Sequence, residues 1–167
     1  MRTERDIEIA KELIEMARID QEMRSKANKD AALWDTTVDR GNTARLEQII
    51  DEIGWPTISK IGTEASQDAW LLAQHATEHP KFMKHCLELM RAAEPGDVSP
   101  ANIAFLEDRI LTMEDKPQVY GTQFLTVEGV TKPFPIDDPE HVDERRARVG
   151  LDTFAENEAR IKGMHSS

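Results

Sequence analysis

The sequence predicts a mainly α fold: a single-domain bundle of about six or seven helices with one small β-hairpin. Three observations lead there. Apolar residues recur at helical spacing through most of the chain. Helix starts and stops punctuate it at regular intervals. The period changes only once, between Gln118 and Thr131, where β-branched and aromatic residues cluster around a Glu128-Gly129 turn.

Thr3, with Asp6 three residues on, opens a long first helix as a capping pair. Ile7, Ala10, Ile14 and Ala17 form one stripe, and Ile9, Leu13, Met16 and Met23 its neighbour. Residues 36–41 read as a connection. Asn42 or Thr43 caps a second helix carrying Leu46, Ile49, Ile50 and Ile53, and Gly54 stops it. Trp55-Pro56 makes a tight corner. A third helix runs from Gly62 or Thr63 to about His75, and Pro80 starts a fourth. Ser99-Pro100 opens a fifth that runs to about Met113. After the hairpin (about 118–131), Asp138-Pro139 opens a sixth, acidic first and basic last, as the helix dipole favours. Thr153 with Glu156 caps a last helix. The domain spans 1–163, with 164–167 as a frayed tail.

Composition narrows the function. A length of 167 residues gives room for a real core. The net charge of −11 disfavours a nucleic-acid binder and a docker on anionic membranes. No run approaches the ~20 apolar residues of a membrane span, and the N-terminus has no apolar secretory stretch. A cytoplasmic address is expected. Cys86 is the single cysteine, so no internal disulfide forms, and its apolar neighbours suggest a buried, inert thiol. No dinucleotide, phosphate-loop or nucleophile-elbow motif appears, so no cofactor is implied.

Polar residues on inward faces mark the candidate site. On the fifth helix, Asp108 shares a stripe with Ala101, Ala104, Phe105 and Leu111, where a bare carboxylate is unfavourable. It is a core ion partner, a holder of loop N–H groups, or a catalytic acid. Arg109 follows it. Asp20, Gln21 and Arg24 lie on the apolar face of the first helix, with Asp20 and Arg24 spaced to pair. They are a buried structural pair or a ligand-binding cluster. Gln74 and His75 close the third helix, and His75 is the best general base in the chain, unless it only bonds a backbone carbonyl. His75 and His79 have a metal-ligand spacing, but Pro80 puts His79 outside the helix and no metal site is expected. Gln118, Tyr120, Thr122 and Gln123 present hydrogen-bonding groups around Gly121. Arg145 is a further cation within reach of a ligand anion.

These words occur in a characteristic order. Asp20-Gln21-x-x-Arg24 is followed by Gly54-Trp55-Pro56 and Gly62, then Gln74-His75. Leu106-Glu107-Asp108-Arg109 comes next, then Gln118-x-Tyr120-Gly121-Thr122-Gln123 and Pro135-Ile136. Val142-Asp143-x-Arg145-Arg146 with Gly150-Leu151 closes the set. The order resembles a bacterial family of unknown function, over most of the chain up to Leu151. That family often carries an acid two residues after the histidine, where this chain has Thr77. The resemblance groups the polar words together and so implies a small-molecule site.

Two functions are therefore expected. The first is a small-molecule-binding protein with catalytic groups, acting by proton transfer or hydrolysis on a polar or anionic substrate. His75 is the base, Asp108 orients it or supplies the acid, and Tyr120 completes the catalytic set. Asp20, Gln21, Arg24, Gln74, Arg109, Gln118, Thr122, Gln123 and Arg145 bind substrate. The second is a non-catalytic interaction module, or an accessory to a protein partner, whose polar words only fix helix register.

Overall fold

The computed structural model describes residues 1–164; residues 165–167, which hold the end of the predicted frayed tail, lie outside the described residues. The fold is mainly helical with one antiparallel hairpin, the class the sequence predicts. The chain forms two compact units, one from Met1 to Ser99 and one beginning at Pro100.

The first unit is all helical. Helix α1 (Glu4–Lys29) starts at the Thr3–Asp6 capping box, where Asp6 N–H donates to Thr3 Oγ1 at 3.1 Å and Thr3 N–H to Asp6 Oδ2 at 2.7 Å. Its inward line is Ile9, Leu13, Ala17, Asp20 and Met23, while Ile7 is exposed. The second stripe is thus the buried one, joined by Ala17.

Helix α2 (Thr36–Ile53) begins seven or eight residues earlier than a cap at Asn42 or Thr43 would put it. Asp35 caps it, accepting from Thr37 N–H at 2.9 Å. Gly41 lies inside the helix on its exposed side, where it lowers stability by roughly 1 kcal/mol without breaking the turn. The earlier start places Asp39 on a helix. Gly54 ends α2 at φ 72°, with its N–H on Ile50 O at 2.8 Å. Trp55 and Pro56 are buried in the corner that follows. A one-turn helix, α3 (Ile58–Ile61), leads into α4 (Thr63–His75). Helix α1 packs on α4 and α2, and α2 on α4. Helix α5 (Pro80–Arg91) starts with proline at its first position and buries Phe82, Met83, Cys86, Leu87 and Met90. The Cys86 thiol is pushed up to about 12 by burial, as an inert core thiol should be.

The second unit opens with α6 (Pro100–Met113). The loop after it leads to the hairpin of β1 (Phe124–Val127) and β2 (Val130–Pro133), with Val127 opposite Val130. Glu128 and Gly129 both have positive φ, 51° and 78°, the geometry a two-residue hairpin turn needs. The strands are shorter than the predicted hairpin because residues 118–123 form a loop, which meets the extended chain at a parallel bridge between Gln118 and Ile136 and at the Phe134 N–H bond to Gln123 O. Helices α7 (Val142–Arg148) and α8 (Phe154–Met164) complete the unit. Thr153 and Glu156 form the expected capping box.

Candidate functional site

Three helices of the first unit bring one charged cluster together. Asp20 on α1 is fully buried at 0% exposure. Its Oδ2 lies 2.9 Å from His75 Nδ1 on α4 and accepts from Gln21 Nε2, also at 2.9 Å. Arg24, one turn after Asp20, donates from Nε to both Asp20 oxygens at 3.2 Å. The same Nε lies 3.0 Å from His75 Nδ1. Arg24 Nη2 donates to Asp39 Oδ1 on α2 at 2.6 Å. The guanidinium rests over the half-exposed Trp34 ring, 4.9 Å from its centroid.

The electrostatics follow from these contacts. Burial alone raises the Asp20 carboxyl, but the His75 and Arg24 bonds outweigh it and hold the group below the usual carboxylate range. Asp39 is pushed the other way. Burial raises it most, Asp20 repels it, and Arg24 only partly offsets both. Two carboxylates facing one cation are thus driven apart.

His75 also lines a small cavity of about 10 Å³ with Asp39, Thr43 and Glu78. That is room for about one water molecule. Glu78 and His79 line both this cavity and a surface groove of about 540 Å³, whose other walls include Glu47, Lys81, Phe82 and His85. The groove and the His75 cavity thus share two lining residues. One ligand atom each from Asp20, Asp39 and His75 lie within 4.8 Å of one another, a spacing that suits a metal ion. The Arg24 guanidinium bonds both carboxylates and approaches His75 Nδ1, so this cluster carries its own cation.

The second unit treats its polar words differently. Asp108, at 0% exposure, accepts from the N–H groups of Val119 (2.7 Å), Tyr120 (3.1 Å) and Thr122 (3.0 Å) and from Thr122 Oγ1 (2.9 Å). Burial raises its carboxyl above the ordinary value, and these four donors offset that only in part. Gln118, also fully buried, donates from Nε2 to Gln123 O and Phe134 O at 3.0 Å each and accepts Gln123 N–H at 2.8 Å. Gln123 Nε2 donates to Thr122 Oγ1 at 3.0 Å. Arg145 donates to Val119 O at 2.8 Å and Asp138 O at 3.0 Å. Arg146, 1% exposed, donates to Tyr120 O at 2.8 Å and to the Asp152 carboxylate at 2.9 Å.

Of the residues singled out from sequence, Asp20, Gln21, Arg24 and His75 converge, with buried Gln74 beside His75 in the chain. Asp108, Gln118, Thr122, Gln123 and Arg145 instead hold one loop of the second unit. Arg109 and Tyr120 are half-buried in that unit. The carboxylate at His75 is Asp20, where sequence reasoning put Asp108. Asp39 was missed. Its signal was Asp35 before Thr36-Thr37, a helix start that sets Asp39 one turn inside α2.

The first unit thus holds a part-buried Asp–His–Arg cluster, with Asp20 fully buried, on a helical scaffold. The chain belongs to the family of unknown function DUF6624, whose model matches residues 7–163. No curated protein and no solved structure matches it.

Proposed function

We propose that this protein binds a polar small molecule in the groove and acts on it by hydrolysis or proton transfer, with His75 as the base. The observation that carries this reading is the 2.9 Å approach of His75 Nδ1 to the buried Asp20 carboxylate. A carboxylate that accepts the Nδ1 proton fixes the tautomer and leaves the lone pair on Nε2, the arrangement a general base requires. Among the described residues, Arg24 Nη1 makes none of the site's hydrogen bonds, which leaves it for an anionic group. Asp108 moves from catalysis to support: it holds the 119–122 loop.

The test is a thermal-shift screen against a metabolite panel with wild type, His75→Ala, Asp20→Asn and Asp108→Asn. A stabilising ligand should lose its effect in the first two variants and keep it in Asp108→Asn, which only melts lower. The reading falls if nothing shifts wild type, or if the shift survives in both His75→Ala and Asp20→Asn.

The hairpin supports the second reading, an interaction module. Leu125, Val127 and Val130 are each more than half exposed and, with Phe134 and Pro135, line an apolar groove of about 390 Å³. Replacing these three by serine leaves a ligand shift at His75 intact, so the two readings separate experimentally.

A further inference from the structure

We propose that Asp39 is a positioning residue for His75: through Arg24, it decides which hydrogen bond Nδ1 makes and so which ring nitrogen is the base. The inference rests on the Asp20–His75 reading and deepens it.

An imidazole Nδ1 has one in-plane position, filled by either a proton or a lone pair. Two neighbours claim it here. Asp20 Oδ2, at 2.9 Å, needs the proton. Arg24 Nε, at 3.0 Å, needs the lone pair. Both contacts cannot be hydrogen bonds at once. The outcome depends on where Arg24 puts its charge.

Arg24 is held most closely by Asp39. Its Nη2 bond there is 2.6 Å, against 3.2 Å for each of its bonds to Asp20. Charge-assisted N–H···O bonds are normally about 2.7–2.9 Å, so Arg24 is drawn toward Asp39 and sits long on Asp20. Trp34 beneath the guanidinium keeps it in that plane. With Arg24 so held, Asp20 Oδ2 is open to the Nδ1 proton.

Removal of the Asp39 carboxylate leaves Arg24 with Asp20 as its carboxylate partner. Its Nη2 then turns onto Asp20, its single Nε–H goes to His75 Nδ1, and the Nδ1 proton is displaced. The ring takes the other tautomer, with Nδ1 accepting from Arg24 and Nε2 protonated. The ring keeps its place while its proton changes nitrogen. Asp39 and His75 line the same small cavity, so the change also alters what that cavity offers a ligand: an N–H where there was a lone pair.

The experiment is long-range ¹H–¹⁵N NMR of the imidazoles in uniformly labelled full-length protein, recorded at about pH 8. The chain has five histidines, and a His75→Gln sample assigns the His75 signals by difference. Wild type should show His75 protonated at Nδ1. Asp39→Ala should shift it to Nε2–H, Asp39→Glu should restore the wild-type pattern, and Asp39→Asn, which keeps the shape and a neutral acceptor, should lie between. Backbone spectra establish that each variant is folded, and if Asp39→Ala does not fold, the Asn and Glu variants carry the comparison. A wild-type pattern retained in Asp39→Ala, or in Asp39→Asn where that stands in, overturns the inference and leaves the Asp20–His75 reading standing. Nε2–H in wild type itself overturns both.

Discussion

Asp20 and Asp108 are both fully buried carboxylates with quite different surroundings. Three of the four donors to Asp108 are backbone N–H groups, fixed by the loop they hold. All the donors to Asp20 are side chains, two of them able to gain a ligand or change protonation. Asp108→Asn replaces an acceptor with a group that is half donor and faces four donors. It should destabilise by about 3 kcal/mol or more, read by urea unfolding. A loss below about 1 kcal/mol would show that the loop holds itself. Gly121 makes the same loop sensitive to volume. At φ +68°, a Cβ there would stand 2.7 Å from a Phe154 ring carbon and 3.1 Å from Ile136 Cδ1. Phe154 is itself stacked on Phe124 with centroids 6.0 Å apart and cannot retreat freely. Gly121→Ala should lower stability by about 2 kcal/mol, through backbone strain and overpacking together. The periodicity of the sequence marked Asp108 as buried, and its spacing marked Asp20 with Arg24 as a pair. It could not say which carboxylate meets His75, because 55 residues separate Asp20 from His75 and only helix packing joins them.

At the scale of elements, local chemistry made most boundaries readable. The Thr3–Asp6 and Thr153–Glu156 boxes, Pro80, Pro100, Gly54 and the Glu128-Gly129 turn all act through neighbours a few residues away. Two segments were not readable in that way. Residues 118–123 have strand-like composition, yet a distant carboxylate on α6 takes their N–H groups and holds them as a loop. The start of α2 was hidden by Gly41, a helix breaker by propensity that tertiary packing overrides on an exposed face. Asp35 carries that start. Asp35→Ala should cost about 1 kcal/mol, the usual value of an N-cap. The loss also frays the turn that bears Asp39. Amide exchange of residues 36–40 should therefore rise more than that of 45–50. Equal exchange in both stretches would mean that the cap does not anchor Asp39.

Across the whole molecule, opposed carboxylates set the response to pH. Glu12 is held low, chiefly by its bond to Arg45, so its contribution to stability is present above the unfolded value and lost as pH falls. Asp68 on α4 does the reverse. Burial, and secondly Glu64 one turn before it, push it up from 3.8 to about 6. Between those values the folded chain keeps a proton that the unfolded chain has released. The Asp68 contribution is therefore full below the unfolded value, declines as pH rises through the folded value, and is gone above it. Asp68→Asn keeps a neutral group of the same shape at every pH. The variant should melt higher than wild type above about pH 6.5, and the gap should close as the pH approaches about 4. The chain carries a net charge of −11, and removing any one acid relieves some repulsion. Repeating the melts in about 1 M salt, where the screening length is about 3 Å, separates the two effects. Local desolvation survives that screening and general repulsion does not. A gap that vanishes in salt, or that is as wide near pH 4 as above pH 6.5, would remove Asp68 as the source.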